Sequence, residues 1–172
     1  RTTFHLWAEV LRAVPDSRFY LKTAKLNDPE TRARLTRAFA EEAIDPDRLI
    51  LAGNTAQMQD HLACYAGMDI ALDSFPFTGA TTTADTTWMG VPVVSLAGET
   101  FASRMSATML TAAGSADLIT DTPEGFVAKA VALADRMRSL SVAERTALRQ
   151  QRRATMAASE LCDSRGMARA LE

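Results

Sequence analysis

Residues 69–104 decide the fold of this chain, and they read DIALDSFPFTGATTTADTTWMGVPVVSLAGETFASR. The short apolar run at 70–72 ends in Asp73 and predicts a strand that is buried on both faces. A loop ending at Gly79 then leads into three threonines, which open a helix that runs to about Met89. Gly90 ends this helix, and residues 91–96 form a second, β-branched strand. The order strand, loop, helix and strand indicates an α/β unit.

The turn at Gly79 has the features of an anion site. The first N–H groups of a helix lack intrahelical partners, and the helix dipole favours negative charge there. Thr81, Thr82 and Thr83 add hydroxyl groups, and Asp85 lies one turn further along, where a carboxylate can accept hydrogen bonds from a sugar. Threonines at helix starts are also common N-caps. Since the chain has neither a Walker lysine nor a GxGxxG motif here, residue chemistry alone favours the capping interpretation.

Strands and helices alternate on both sides of this stretch. Further strands are predicted at 18–23, 49–51 and 118–119, and further helices at 4–14, 28–43, 58–66, 105–113, 122–137 and from 141 onward. This alternation predicts an α/β fold with a Rossmann-like parallel sheet and flanking helices. Ligands of such sheets bind at the carboxyl ends of the strands, so the loops at 53–57, 74–82 and 97–102 are expected to share one rim.

Composition limits the possible classes of protein. The 172 residues predict a single domain, 1–172, whose final helices at about 141–170 pack back on it, and a net charge of −2 gives no argument for nucleic acid or an anionic membrane. The only two cysteines, Cys64 and Cys162, predict no metal cluster and fit a reducing, cytoplasmic compartment. No apolar run approaches the length of a membrane span.

The arginines at 149, 152 and 153 are predicted to form a solvated face.

The central stretch resembles the donor-binding segment of the O-GlcNAc transferase family, which includes SPINDLY-like proteins and whose members are often fused to tetratricopeptide (TPR) repeats. Four motifs match without a gap: D-hydrophobic-x-L-D, x-G-x-T-T-x-x-D, W-x-G-x-P-hydrophobic-V and G-E-T-x-A-S-R. Weaker similarity covers residues 3–135. The resemblance implies the C-terminal, nucleotide-binding half of a two-domain glycosyltransferase of the B type (GT-B). The implied reaction is inverting transfer of GlcNAc from UDP-GlcNAc to serine or threonine of an acceptor protein, without a metal or other cofactor.

The same resemblance assigns the donor-binding residues. Thr81 and Thr82, preceded by Ala80, would hold the diphosphate, and Asp85 would hold the ribose. His61 would lie near the uridine, and the main chain from Ala56 to Met58 would meet the uracil edge. It assigns no catalytic residue within this chain. A catalytic N-terminal half, probable TPR repeats and a pyrophosphate-binding lysine are expected upstream, so the isolated chain is expected to bind nucleotide weakly and to be inactive in transfer.

Three departures from the family pattern leave the donor sugar open. Met58 stands where many members have lysine, Cys64 where they have arginine, and Ala80 where they have histidine. UDP-glucose-dependent protein N-glucosyltransferases share the Gly-x-Thr-Thr pattern and are the nearest alternative. A non-catalytic α/β binding module is a further alternative, although a receiver domain would need a pair of acidic residues that 18–26 does not contain.

A strand that normally precedes the first helix of such a domain is also expected upstream. Because the first predicted helix begins near Thr3, the strands near Arg18 and Asp69 are expected to flank a gap instead of pairing through that strand. The expected consequence is marginal stability, or the filling of this gap by another segment or chain.

Overall fold

The computed structural model describes residues 2–170, and helices alternate with parallel strands along most of this length. All three strand pairings are parallel, which confirms the predicted α/β class. The chain divides into two compact units, one ending at Ala63 and the other beginning at Cys64. The expectation that residues 1–172 act as one nucleotide-sugar-binding domain concerns function and stays a prediction. Within the described range, no helix is both long enough and apolar enough to cross a membrane.

In its described part, from residue 2 onward, the first unit contains a two-stranded sheet and three α-helices. Its elements are α1 (Thr2–Ala13), β1 (Phe19–Lys22), α2 (Pro29–Glu41), β2 (Leu49–Ala52) and α3 (Met58–Ala63). Strand β1 pairs with β2 from Phe19 opposite Leu49 to Lys22 opposite Ala52. Helix α2 begins as predicted, because the Asp28 carboxylate accepts hydrogen bonds from the N–H groups of Glu30 and Thr31.

An aromatic cluster forms the core of the first unit. The ring centroids of Phe4 and Phe39 lie 5.6 Å apart in an edge-to-face arrangement, and those of Trp7 and Phe19 lie 5.1 Å apart. Such pairs contribute about 0.5–1.5 kcal/mol beyond the area they bury. Helix α1 is buried on more than one face, since Leu6, Ala8 and Val10 are buried as well as Trp7 and Leu11.

The second unit is built on a three-stranded sheet. Its elements are β3 (Ala71–Leu72), α4 (Thr81–Trp88), β4 (Val93–Leu96), α5 (Met105–Ala112), β5 (Ile119–Thr120), α6 (Pro123–Ser139), α7 (Val142–Ala157) and α8 (Ser164–Ala170). The strand order is β3-β4-β5, and every residue of the central strand β4 is buried. Strand β1 belongs to the sheet of the first unit and β3 to that of the second, and the expected gap between them stays a prediction.

Two helix starts of the second unit follow their sequence signals. Thr122 caps α6 by accepting a hydrogen bond of 3.0 Å from the N–H of Gly125. Ser141 and Glu144 form a capping box at α7, each side chain bonding the backbone N–H of the other. Local side-chain chemistry therefore fixes where both helices begin.

Two of the three arginines of α7 contradict the prediction of a solvated face, since Arg149 and Arg152 are half-buried whereas Arg153 is exposed. Arg149 donates hydrogen bonds to the backbone carbonyls of Tyr65 and Met68. The guanidinium of Arg153 lies 4.6 Å from the centroid of the Trp88 ring, and burial lowers the pKa of Arg152. Helix α7 thus packs through its arginines, a result that the charge pattern of the helix alone does not reveal.

Candidate functional site

The predicted diphosphate-binding threonines lie at the start of α4. The helix begins at Thr81, and Ala80 occupies the N-cap position without a side-chain hydrogen bond. The first backbone bond of the helix joins the N–H of Ala84 to the carbonyl of Ala80, at 3.0 Å. The N–H groups of Thr81, Thr82 and Thr83 consequently have no partner within the helix. This helix start has the geometry and the dipole to receive an anion.

The three threonines of this turn have different environments. Thr81 and Thr82 are exposed, whereas Thr83 is buried. The Thr83 hydroxyl oxygen lies 2.7 Å from that of Ser106 in a buried hydrogen bond. The Thr83 hydroxyl therefore joins α4 to α5, whereas the resemblance assigns only Thr81 and Thr82 to the diphosphate. Thr81 and Thr82 keep the surface position that the prediction requires.

Asp73, at the carboxyl end of β3, shapes the loop before α4. Its Oδ1 accepts hydrogen bonds of 2.9 Å from the N–H groups of both Ser74 and Gly79, at the two ends of the loop. Its Oδ2 accepts a hydrogen bond of 2.7 Å from the hydroxyl of Ser95 on β4. One carboxylate thus closes the loop and anchors it to the sheet. Sequence reasoning used Asp73 only as the end of a strand, although an aspartate followed by a glycine loop was an available signal.

The start of α5 supports the same loop from a second direction. The Ser106 hydroxyl donates to the carbonyl of Gly79 at 2.8 Å, and the Ser106 N–H donates to Thr78 Oγ1 at 3.2 Å. Thr78 in turn donates through its N–H and its hydroxyl to the carbonyl of Ala102, at 3.0 and 2.9 Å. Thr78 and Ser106 are each 0% exposed. Since these polar groups are buried and paired, the loop is held in one arrangement.

Gly79 is required at its position by close packing. A Cβ atom placed there would lie 2.5 Å from Thr83 Oγ1 and 2.8 Å from Thr82 Oγ1. Both distances are shorter than ordinary van der Waals contact, so a larger residue at this position requires the hydroxyls of Thr82 and Thr83 to move. The lack of a side chain at the glycine of the Gly-x-Thr-Thr pattern therefore leaves room for the hydroxyls of the following threonines.

Asp85 is half-buried on α4, one turn beyond Thr81. Burial raises the pKa of the Tyr65 phenol, and the negative charge of Asp85 adds to this effect, while a hydrogen bond with Thr86 opposes it. Tyr65 therefore stays protonated at neutral pH. The aspartate keeps its predicted place on the same helix as Thr81 and Thr82.

The remaining predicted residues lie in the first unit, at the carboxyl end of β2. Ala56 is in the loop after this strand, Met58 begins α3 with 67% of its surface exposed, and His61 is half-buried on the same helix. Lys22 Nζ lies 2.8 Å from Thr55 Oγ1 and 2.9 Å from His61 Nδ1. Sequence reasoning did not identify Lys22, which contacts His61, or Thr55, which accepts a hydrogen bond from this lysine. The predicted site residues thus fall into two groups, one in each unit.

Comparisons with known proteins add an independent finding. The model of the family described as glycosyl transferase family 41 matches residues 1–171. A probable UDP-N-acetylglucosamine–peptide N-acetylglucosaminyltransferase SPINDLY from Oryza sativa subsp. japonica is 34% identical, over 97% of this chain and 18% of the relative. A UDP-N-acetylglucosamine–peptide N-acetylglucosaminyltransferase from Caenorhabditis elegans is 30% identical, over 77% of this chain and 11% of its own length.

A solved structure agrees with the sequence relatives. A mutant O-GlcNAc transferase from Thermobaculum terrenum is similar with a TM-score of 0.80 and 33% identity, over 94% of this chain and 29% of that chain. The chain spans less than a third of each of these proteins. The expected resemblance and the Rossmann-like part of a GT-B fold are confirmed. The chain belongs to glycosyl transferase family 41.

Proposed function

We propose that this chain is the nucleotide-sugar-binding part of a protein O-GlcNAc transferase, and that it holds UDP-GlcNAc for transfer to serine or threonine of an acceptor protein. The observation that carries the proposal is the start of α4, where Thr81 and Thr82 are exposed and no side chain caps the helix. The printed names of the rice and nematode relatives support the same donor and a peptide acceptor.

The diphosphate would bind at this helix start. The N–H groups of Thr81, Thr82 and Thr83 have no partner within the helix and would donate to the diphosphate, and the hydroxyls of Thr81 and Thr82 add further donors. As the bond between the sugar and the phosphate oxygen breaks, negative charge grows on the departing UDP. Donors held in place by buried bonds, such as those of Asp73 and Ser106, stabilise that charge without having to reorganise.

Asp85 would accept hydrogen bonds from the ribose hydroxyls. Its position one helical turn beyond Thr81 suits a ligand whose diphosphate lies at the helix start. An ionised carboxylate has only acceptor oxygens and therefore suits hydroxyl groups, which can donate to it. Ala56, Met58 and His61 remain the predicted contacts of the uridine, in the first unit.

Other parts of the reaction would come from elsewhere in a longer polypeptide. The chain spans 18% of the rice relative, and the catalytic base, the acceptor-binding groups, an N-terminal half and TPR repeats are proposed to lie outside it. Inverting transfer requires a base for the acceptor hydroxyl, and no residue of this chain is assigned to that role. We further propose transfer without a metal ion, in the cytoplasm.

Two observations keep UDP-glucose as a second candidate donor. Ala80 offers no side-chain donor at the N-cap of α4, where many family members have histidine, and Met58 is an exposed apolar side chain instead of a lysine. The loss of polar contacts at both positions weakens the argument for GlcNAc in particular. The shared Gly79-Ala80-Thr81-Thr82 turn suits either donor.

Isothermal titration calorimetry with UDP, UDP-GlcNAc and UDP-glucose tests the proposal. We expect saturable binding of UDP and a tighter complex with UDP-GlcNAc than with UDP-glucose. Replacing both Thr81 and Thr82 by valine is expected to weaken UDP binding about tenfold, equivalent to about 1.4 kcal/mol. Thr146→Val, at an exposed threonine near the start of α7, is the matched control and should leave binding unchanged. Saturable binding that the double variant does not affect would refute the assigned site.

A further inference from the structure

A cavity of about 230 Å³ lies between α6, α7 and the turn that follows α5, all within the second unit. Its lining contains none of the residues assigned to the nucleotide. Pockets for drug-sized ligands have volumes of about 300–1,000 Å³, so this cavity suits a smaller molecule. Most of its side chains are charged or polar, and they include Ser115, Asp117, Arg136, Gln151 and Arg152.

Two arginines line this cavity from different helices. Arg136 lies in the last turn of α6 and is exposed, whereas Arg152 lies on α7 and is half-buried. Within residues 2–170, neither of these guanidinium groups makes a hydrogen bond or an ion pair. The arginines beside Arg152 on the same helix do have partners, since Arg149 donates to two carbonyls and Arg153 lies over the Trp88 ring. Arg152 is thus partly desolvated without an acceptor for its N–H groups.

The charges around the cavity favour an anion. Burial lowers the pKa of the Arg152 guanidinium, the negative charge of Asp117 raises it, and the positive charge of Arg136 lowers it again. A desolvated charge beside a like charge is unfavourable unless an opposite charge compensates it. Asp117 compensates one of the two arginines, which leaves one positive charge in excess at the cavity.

The backbone holds the turn after α5 directly against α7. Gly114 has a φ of 71°, and a Cβ atom there would lie 2.9 Å from Thr155 Cγ2. The N–H of Ser115 donates to the carbonyl of Leu110 at 2.8 Å, which closes the end of α5. The cavity wall that carries the Ser115 hydroxyl is therefore fixed to the helix that carries Gln151, and both side chains add neutral donors to the lining.

We propose that this cavity, which we refer to as the Arg136–Arg152 cavity, binds a compact oxyanion. The planar guanidinium group matches the oxygens of phosphate and of carboxylate groups, so the shared chemistry is a small group with negatively charged oxygens. Arg136 and Arg152 would hold it from α6 and α7, and Ser115 and Gln151 would donate further hydrogen bonds. Asp117 would limit the affinity by repelling the anion. The proposal is independent of the nucleotide site at the start of α4.

Titration of the full chain with inorganic phosphate at constant ionic strength tests the proposal. We expect 1H–15N NMR to show saturable shifts of the Arg152 Nε–H and of the Ser115 backbone amide. A second titration with acetate at the same ionic strength shows which of the two oxyanions binds more tightly. Both titrations use the Thr81→Val, Thr82→Val background, so that binding at the start of α4 does not contribute. If neither anion produced saturable shifts at these residues, the proposal would be overturned.

Charge-changing variants locate the anion. Arg152→Gln is expected to weaken its binding about tenfold, and Arg136→Gln, at an exposed residue whose replacement should not affect folding, is expected to weaken it as well. Arg138→Gln is the matched control on α6, since this exposed arginine pairs with Asp135 at 3.6 Å and should leave binding unchanged.

Asp117→Asn gives the opposite sign and therefore the sharpest test. Removal of this carboxylate is expected to tighten anion binding several-fold, a gain that a purely structural role of Asp117 would not produce. Anion binding that both Arg136→Gln and Arg152→Gln left unchanged, or that Asp117→Asn did not tighten, would contradict the site. Backbone amide spectra confirm that each variant is folded.

Discussion

The carboxylate of Asp73 accepts a hydrogen bond of 2.9 Å from the backbone N–H of Gly79. This single contact connects the end of β3 to the residue that allows α4 to begin at Thr81. Because the same carboxylate also bonds Ser74 and Ser95, it fixes the loop to two neighbouring strands. The position of the proposed diphosphate site is thus set by residues that need not contact the nucleotide themselves.

Asp73→Ala is expected to destabilise the chain and to weaken UDP binding. The substitution leaves two backbone N–H groups and a buried hydroxyl without their acceptor, and one such loss costs about 1–3 kcal/mol. Chemical denaturation measures the free energy of unfolding. Asp69→Ala is the matched control at the other end of the same strand, since its exposed ion pair with Arg145, at 3.4 Å, contributes at most about 1 kcal/mol. Equal effects of the two substitutions would contradict the role given to Asp73.

Gly79→Ala is expected to disturb the start of α4 because the added Cβ would lie 2.5 Å from Thr83 Oγ1. Overpacking of this kind costs about 1–3 kcal/mol, and UDP affinity should fall with it. Gly67→Ala is the control, as a Cβ there meets no atom within 4 Å. Thermal unfolding and UDP calorimetry of both variants check the prediction, which fails if Gly79→Ala binds UDP as the unaltered chain does.

Ser106→Ala removes the hydrogen bonds to Gly79 and Thr83 that join α5 to the loop. We expect a loss of stability of about 1–3 kcal/mol, because buried partners stay unpaired, together with weaker UDP binding. Ser139→Ala, at an exposed serine that bonds only locally to the carbonyl of Arg136, should change neither quantity. A Ser106→Ala chain with normal stability would show that the loop does not depend on α5.

Asp85→Ala is expected to weaken UDP binding by about 1–3 kcal/mol, the usual cost of leaving a polar partner unpaired. Deoxygenated UDP analogues sharpen the test, because the loss should be smaller for an analogue without ribose hydroxyls. Asp135→Ala, at an exposed aspartate of α6, is the control. Unchanged UDP affinity in the Asp85 variant would remove this residue from the site.

UDP binding is expected to be the same with and without EDTA. The proposed site uses N–H groups, hydroxyls and the dipole of α4 to balance the diphosphate charge, as a helix start can do without a cation. Calorimetry in buffers treated with chelator, and then supplemented with Mg²⁺ or Mn²⁺, measures the effect. A requirement for either ion would contradict the metal-free proposal.

The sequence predicted those features that depend on neighbouring residues. The starts of α2, α6 and α7 follow from caps such as Asp28 and Ser141, and the start of α4 follows from Gly79 and the adjacent threonines. The apolar runs predicted the positions of the five strands to within a few residues of those in the structure. Each of these signals depends on residues that are close together in the sequence, which is why the sequence alone is enough to predict these features.

Contacts between distant residues were not predicted. The bond between Thr83 and Ser106 depends on how α5 returns to α4, and the threonine run at the helix start does not reveal it. The arginines of α7 were expected to be solvated. Their carbonyl and ring partners, such as Tyr65 and Trp88, come from other segments of the chain, so the sequence of the helix does not reveal them. The bond between Lys22 and His61 likewise depends on two strands and a helix meeting at one edge. Side-chain polarity alone does not identify the partner.

Backbone 1H–15N NMR of the full chain during titration with UDP tests the central claim most directly. The account predicts saturable shifts that are largest for the amides of Gly79, Thr81, Thr82 and Thr83, because the diphosphate is proposed to accept hydrogen bonds at this helix start. The same titration of the Thr81→Val, Thr82→Val double variant should require about tenfold more UDP. Saturable UDP binding that leaves these amides unshifted, or no saturable binding at all, would contradict the account.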